Sequence, residues 1–346
     1  MHAPSRPPGI DANPVLVELD IGGARESIHR GAAAIIDHDG RLIRHWGDID
    51  RPFYAHSALK LLWALPLLES GAAARFGLTA AEIVLSASSH LGEKRPVELV
   101  GHWLSRCGLP LATLQCGPQR PFSNEAAFEL RLAGLAPSTL HNNNSGKHAG
   151  FLTTALHLGE PREGYLHPEH PVQQRVRAVV EEMTCMSFVR VPGAIERCGM
   201  PAYRPSLRAL ALAMARFGDP DRLPPNRADA VRKLVSAICA EPELLVGPGR
   251  LSSVVCASTA GRVVVKGGIE GVFAGALMDR GIGFALKIDD GAQRAADVSL
   301  TALLASLGEL PENLTTRLAA TIRTHAGEPI GRIRSILLDE PQRLLA

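Results

Sequence analysis

His56-Ser57-Ala58-Leu59-Lys60 opens the apolar run Leu61-Leu62-Trp63-Ala64-Leu65-Pro66-Leu67-Leu68. A spacing of three on a helix sets the Ser57 and Lys60 side chains on one face, a turn apart. A hydroxyl beside an amine is a nucleophile beside its base. The amine does that work only when burial or a second cation pulls its pKa from about 10.4 toward neutrality. The motif therefore demands another cation elsewhere in the chain, together with donors for an oxyanion.

Upstream, Val15 to Asp20 alternates as a strand does, and Glu26 to His29 extends it beyond Gly22-Gly23. Ala33 to Ile36 and Arg41 to Trp46 flank Asp37-His38-Asp39-Gly40, a hairpin in which the Asp39-Gly40 step supplies positive φ angles. Downstream, residues 57 to about 245 have a mainly helical pattern. Pro66 bends the first helix. Thr79-Ala80-Ala81-Glu82 has capping-box spacing. Helices are expected over Pro96 to Cys107, Asn124 to Leu132 and Arg227 to Ala240. The connector Asp219 to Pro225 carries three prolines. His167-Pro168-Glu169-His170-Pro171 reads as a structural loop rather than a metal site, with Pro171 opening a helix.

The last third turns to short β-branched runs: Val254 to Ala257, Arg262 to Lys266, Val272 to Leu277 and Gly283 to Asp289. They read as antiparallel strands with glycine turns. A helix over Asp297 to Leu307 and one further short element complete the chain. The expected fold is α/β in the α+β sense, an antiparallel sheet flanked by helices plus a helical lobe. Residues 15–56 and 246–346 form a discontinuous sheet domain and residues 57–245 the lobe. Ser57 falls at the seam, where ligand pockets are common.

Composition narrows the class. The 346 residues are 46% hydrophobic and 21% charged, which describes a globular chain. A net charge of +2 and 4% aromatics give no case for nucleic acid or an anionic membrane. No apolar run is long enough to span a bilayer. Met1 to Pro14 lacks the pattern of a signal peptide. The six cysteines have no C-x-x-C and no zinc-finger spacing. A cytoplasmic protein with free thiols is expected.

The second cation is found at Lys266-Gly267-Gly268, at the end of an expected strand. S-x-x-K followed by K-T-G is part of the signature of class A β-lactamases and penicillin-binding proteins. Here K-G-G stands in the same order and kind of context. The polar run Leu140 to His148, leading into Ala149-Gly150-Phe151, reads as a loop feeding a helix N-terminus. It does not have the spacing of a phosphate loop.

Taken together, several blocks resemble the rhizobial-type L-asparaginases, also called the type III or asparaginase II group. They are His56 to Lys60, Ser88-Ser89-His90 with Glu93, Asn143 to His148 with Gly150, Ile195 to Pro201, and Val265-Lys266 with Gly268 and Glu270-Gly271. The resemblance runs from about residue 15 to 310. It implies a fold like serine β-lactamases and glutaminases, and hydrolysis of L-asparagine to L-aspartate and ammonia. It implies Ser57 as nucleophile, Lys60 as base, and Ser89 with Lys266 as a second pair. His56, Asn143, His148 and Gly267 are the expected substrate-binding residues. The family's zinc ligands include a cysteine where Asn144 stands, and Lys147 and Cys198 match the others. An amide is a poor zinc ligand, so no tightly held metal and no required cofactor are expected. Glu196 replaces the usual aspartate, Ser252 a usual cysteine, and the histidine expected after Cys116-Gly117-Pro118-Gln119 is missing. The expected partners are the substrate and a second copy in a homodimer, with neither nucleic acid nor membrane. The alternatives are a penicillin-recognising acyl-serine amidohydrolase and a non-catalytic amino-acid-binding paralogue.

Overall fold

Among the described residues eight strands build one wholly antiparallel sheet. They are β1 (Val15–Ile21), β2 (Ala24–Asp37), β3 (Leu42–Trp46), β4 (Val263–Gly268), β5 (Val272–Leu277), β6 (Ile282–Ile288), β7 (Ala319–Arg323) and β8 (Pro329–Ser335). Their order is β4-β5-β6-β2-β1-β8-β7, with β3 also on β2. The structure is a computed structural model and describes residues 13–188 and 194–336. Most of the proline-rich N-terminal stretch and the last ten residues of the tail lie outside the described residues.

First and last strands thus share one sheet, as expected. The long β2 changes partner midway: its N-terminal half pairs with β1, and Ala33–Ile36 pair with β3, while residues 31–37 pair with β6 throughout. Gly31 marks the change. A Cβ there would lie 2.3 Å from the Lys287 carbonyl oxygen, so only glycine admits that approach.

Helix Leu207–Phe217 lies across β2, β5 and β6, although it comes from within the stretch expected to form the lobe. Gly283 makes the contact close, since a Cβ would lie 2.1 Å from both the Ala211 carbonyl and the Ala215 nitrogen. Helix Gln293–Ser306 packs on β1, β5, β6 and β8. Helices at 80–86, 94–106, 145–157, 171–184 and 225–240 build the lobe. One hydrophobic cluster runs continuously from Leu16 in the sheet through Trp103 and Val180 in the lobe to Ile333. Among the described residues no helix is long and apolar enough to cross a membrane.

Several local expectations change. Val254 to Ala257 is not a strand but lies in helix Leu251–Ser258. Val255 and Cys256 are fully buried there, and tertiary burial overrides β propensity. At the β2–β3 turn only Gly40 has positive φ (88°), not Asp39. Asp37 Oδ1 accepts from Asp39 N and Arg41 N, which makes a three-residue loop closed by glycine. The helix expected from Asp297 starts at Gln293, and the tail carries two strands rather than one element. Thr79 and Glu82 do form the reciprocal capping box.

Candidate active site

Ser57 stands in a 3-10 turn, His56–Leu59, from which helix Lys60–Trp63 continues. The first helix is broken at Ala64, just ahead of Pro66. His56 enters the turn at φ 48°, a left-handed angle unusual for a residue with a Cβ. Strain of this kind, about 1–3 kcal/mol, gathers at functional sites. The turn is wedged against the end of β4, where a Cβ on Gly268 would lie 3.0 Å from the Ala55 carbonyl and 3.3 Å from the Ala58 nitrogen. The His56 ring fixes the other side through Nδ1, 3.1 Å from Glu196 Oε2.

Beneath the turn lie two lysines. Lys60 and Lys266 are both 0% exposed. Each donates from Nζ to Ser89 Oγ at 3.0 Å. Lys60 also donates to the Ser88 and Asn143 carbonyls, and Lys266 to the Gly267 carbonyl at 2.9 Å. A hydroxyl has two lone pairs and one hydrogen. With both lone pairs occupied, the Ser89 proton is left to point elsewhere. Burial pushes the Lys60 pKa well below its usual range, and the charges of Lys147 and Lys266 push it further, against Cys198 and Glu196. Burial brings Lys266 down to about 7, with Cys256 opposing. Loop Ser88–Ser89 is held by a bond from the Ser88 hydroxyl to the Leu244 carbonyl and by Ser89 N on the Leu245 carbonyl. Ser57, Lys60, Ser89 and Lys266 therefore converge from three separate segments. Ser57 Oγ itself bonds to neither lysine; both amines turn to Ser89.

Two cavities meet at Ser57. The first, about 500 Å³, is lined by His56, Trp63, Gln119, Asn143, Lys147 and Glu196, among others. Arg120 and Arg197 stand at its exposed edge. The second, about 220 Å³, holds Ser89, Ser252, Lys266 and Gly267. Ser57, Phe122, Asn143 and Ile269 line both.

The other expected residues divide. His56 and Asn143 line the first cavity and Gly267 the second. His148 lines neither. Its ring is fully buried in helix Ser145–His157, with Nδ1 2.6 Å from the Tyr165 hydroxyl. That hydroxyl also accepts from Gln115 N at 2.9 Å. Burial, with Lys147 and Lys60 nearby, keeps the imidazole neutral by driving its pKa well below the usual value. His148 thus braces the lobe, and no spacing in the sequence showed which way it would turn.

Lys147 and Cys198 are brought together: Lys147 Nζ donates to Cys198 Sγ at 3.0 Å and Met200 Sδ at 2.8 Å, and sits 4.9 Å from the centre of the Trp63 ring. This donor set does not suit zinc. Asn144 offers only an amide oxygen, a poor zinc ligand, and among the described residues no three His, Cys, Asp or Glu side chains cluster as ligands.

Residues that sequence reasoning gave no role also shape the site. The Ser252 hydroxyl accepts from Gly267 N at 3.1 Å and so fixes the end of β4. Asn142, buried, donates to the Cys116 and Gly117 carbonyls, and its Oδ1 accepts from Asn144 N, which sets the whole Asn142–Asn144 loop. Asp297 lines the second cavity, held by Gln293 Nε2 at 2.8 Å.

A serine on a strained turn, over two uncharged-prone lysines sharing one hydroxyl, in an α+β protein with an antiparallel sheet, defines the class of acyl-serine amidohydrolases. The chain belongs to the L-asparaginase II family, whose model matches residues 17–335. Among solved structures it is similar to Mglu in its native form in 4.3 M NaCl, with 15% identity over 86% of this chain and a TM-score of 0.47. The chain spans 66% of the length of that Mglu chain. It is also similar to a Bacillus glutaminase, 12% identical over 82% of this chain and 92% of the other, TM-score 0.42. A third is the D-alanine carboxypeptidase AmpC from Burkholderia cenocepacia, 13% identical over 80% of this chain and 93% of the other, TM-score 0.39. These scores are low, and nothing about the site follows from them. No curated protein sequence matches the chain.

Proposed function

We propose that this chain is an L-asparaginase, hydrolysing L-asparagine to L-aspartate and ammonia through a covalent serine ester. The observation that carries the reading is Ser57 at the meeting of two cavities, over a hydroxyl that two buried lysines share. The first cavity offers cations at Arg120 and Arg197 and an anion at Glu196, the complement of an amino-acid zwitterion. Family membership supports the amide class.

Neutral Lys60 takes the Ser57 proton as substrate docks, a contact that often tightens only in the complex. Ser57 Oγ attacks the side-chain amide carbon. The Ser57 N–H, in the first turn of its 3-10 helix and without a backbone partner among the described residues, serves as a donor to the developing oxyanion. Ser89 passes its proton to the departing ammonia and is resupplied from Lys266. Water then enters by the path ammonia left and releases aspartate.

Ser57→Ala is expected to abolish ammonia release from asparagine in a coupled assay; turnover within tenfold of wild type would refute a nucleophilic Ser57. No resident metal takes part in this reading. Dialysis against a chelator is expected to leave the rate unchanged, and a loss restored by added zinc would contradict it. The same assay with glutamine in place of asparagine tests the substrate, because a faster rate on glutamine overturns the asparaginase assignment while leaving the acyl-serine chemistry.

A further inference from the structure

Lys147 is a buried amine held by sulfur. It is 1% exposed, and among the described residues its Nζ donates to Cys198 Sγ at 3.0 Å and Met200 Sδ at 2.8 Å and faces the rings of Trp63 and Phe151. The Nζ atoms of Lys60 and Lys266, by contrast, donate to oxygens. A tight turn makes the arrangement. Ile195 bridges Pro201, Glu196 N donates to the Met200 carbonyl at 2.8 Å, and Gly199 at φ 90° lets the chain reverse. Cys198 and Met200, two positions apart, thus both reach the amine carried by helix Ser145–His157. Lys147 and Cys198 line the first cavity, and so does Cys116. Oxidants select thiols in electropositive surroundings that they can reach. Cys198 has the amine and the cavity. Cys116 points instead to the Thr139 carbonyl, at 3.6 Å, and burial pushes its thiol up to about 12.

We propose that Lys147 and Cys198 form a modification site, at which a hydroperoxide couples the two side chains through an S–N bond. One peroxide oxygen bonds to Sγ as the O–O bond breaks, which gives a sulfenic acid and one water. The Nζ lone pair then attacks Sγ. The S–N bond forms as the S–O bond breaks, and the hydroxyl leaves as a second water with a proton from nitrogen. The couple loses two hydrogens and two electrons, and the peroxide is reduced by them. Sulfenic acids condense in this way with a nitrogen held beside them. The link ties the turn that carries Glu196, and through Glu196 the His56 ring, to helix Ser145–His157. It also removes a positive charge. Lys147 is one of the charges that hold the Lys60 pKa down, so its loss leaves Lys60 protonated for more of the time and slows the reaction proposed above. The coupling itself does not depend on that reaction.

Hydrogen peroxide is the probe, added in small excess to the full chain, and the digest is read by mass spectrometry. The expected product is a peptide pair joined at Lys147 and Cys198, two hydrogens lighter than the sum of its parts and separated again by dithiothreitol. Ammonia release from asparagine should fall about tenfold or more as the link forms, as for a general base largely withdrawn, and return with the reductant. Lys147→Arg keeps the cation but offers no lone pair; it should give no link and leave Cys198 to proceed to the sulfinic acid. Cys185, exposed with Arg216 Nη1 3.0 Å from its sulfur, is already such a thiol and should take up oxygen without linking. Cys198 left unoxidised, or oxidised while Lys147 stays free, overturns the site, as does a link that forms equally well in Lys147→Arg. Where the variant does not fold, the wild-type peptide pair decides. A link in a protein that never releases ammonia overturns the asparaginase reading and leaves the site standing; ammonia release with no link does the reverse.

Discussion

At the scale of single residues the chemistry turns on lysines without carboxylates. Lys60 and Lys266 are 0% exposed, and among the described residues neither forms an ion pair. A buried ammonium so placed sheds its proton more easily than one in water. Lys266 titrates near pH 7 and Lys60 is also depressed, so the limbs of kcat/KM belong to the coupled pair. Lys60 works as the neutral base and Lys266 as the protonated acid, and activity is therefore expected to rise as Lys60 gives up its proton and to fall above about pH 7 as Lys266 loses its own. Lys266→Arg keeps the charge but holds it at every pH. That variant should lose about 100-fold or more in kcat, on the scale of a general acid–base group, and its remaining activity should lack the limb near pH 7. A pH–rate profile checks both; a variant with the wild-type limb assigns that titration elsewhere. This pair was legible in the sequence because S-x-x-K and K-G-G are spacings, and spacings survive folding. The direction of His148 was not legible, since it depends on Tyr165, whose hydroxyl lies in a loop seventeen positions on.

At the scale of elements the site depends on how β4 meets the Ser57 turn. Gly268 has no side chain to interpose, and a methyl there would lie 3.0 Å from the Ala55 carbonyl, 3.3 Å from the Ala58 nitrogen and 3.5 Å from His56 Cβ. Neither backbone contact has a flexible end that yields cheaply. Gly268→Ala is accordingly expected to displace the turn by a few tenths of an ångström rather than to unfold the protein. Misplacement on the order of 1 Å costs about 100-fold in rate, so a fall of about 10- to 100-fold in kcat with little change in Tm is the expected outcome of kinetics and thermal melts. A large fall in Tm with kcat intact would mean that the contact serves folding and not the nucleophile. Strands β1 to β6 were legible from alternation and glycine turns. Helix Leu251–Ser258 was not, because Val254-Val255-Cys256 has strand composition and only its packing against β4 makes it helical. That misreading also hid Ser252, whose place on the helix lets it hold Gly267 N.

At the scale of the whole molecule, bringing the two amines under one hydroxyl is a cost of folding. Segments more than 170 positions apart, Ser89 and Lys266, meet only when sheet and lobe have closed. The unfolded chain carries Lys266 protonated up to about pH 10.4, whereas the folded chain gives the proton up near pH 7. Between those values the unfolded state binds about one more proton, so unfolding free energy rises with pH by about 1.4 kcal/mol per unit from this group. Below pH 7 both states hold the proton and the whole penalty is present. Replacing the amine with an apolar side chain of similar length, Lys266→Met, removes both the penalty and the slope. The variant is expected to be inactive yet more stable than wild type at pH 6, by several kcal/mol as an order of magnitude, and its advantage should shrink as pH rises from 7 toward 9. Urea denaturation at pH 6, 7.5 and 9 reads the difference directly. An advantage that is constant across that range would place the Lys266 titration outside it. A variant less stable than wild type at pH 6 would mean that the bonds from Lys266 to Ser89 and Gly267 outweigh the burial of its charge.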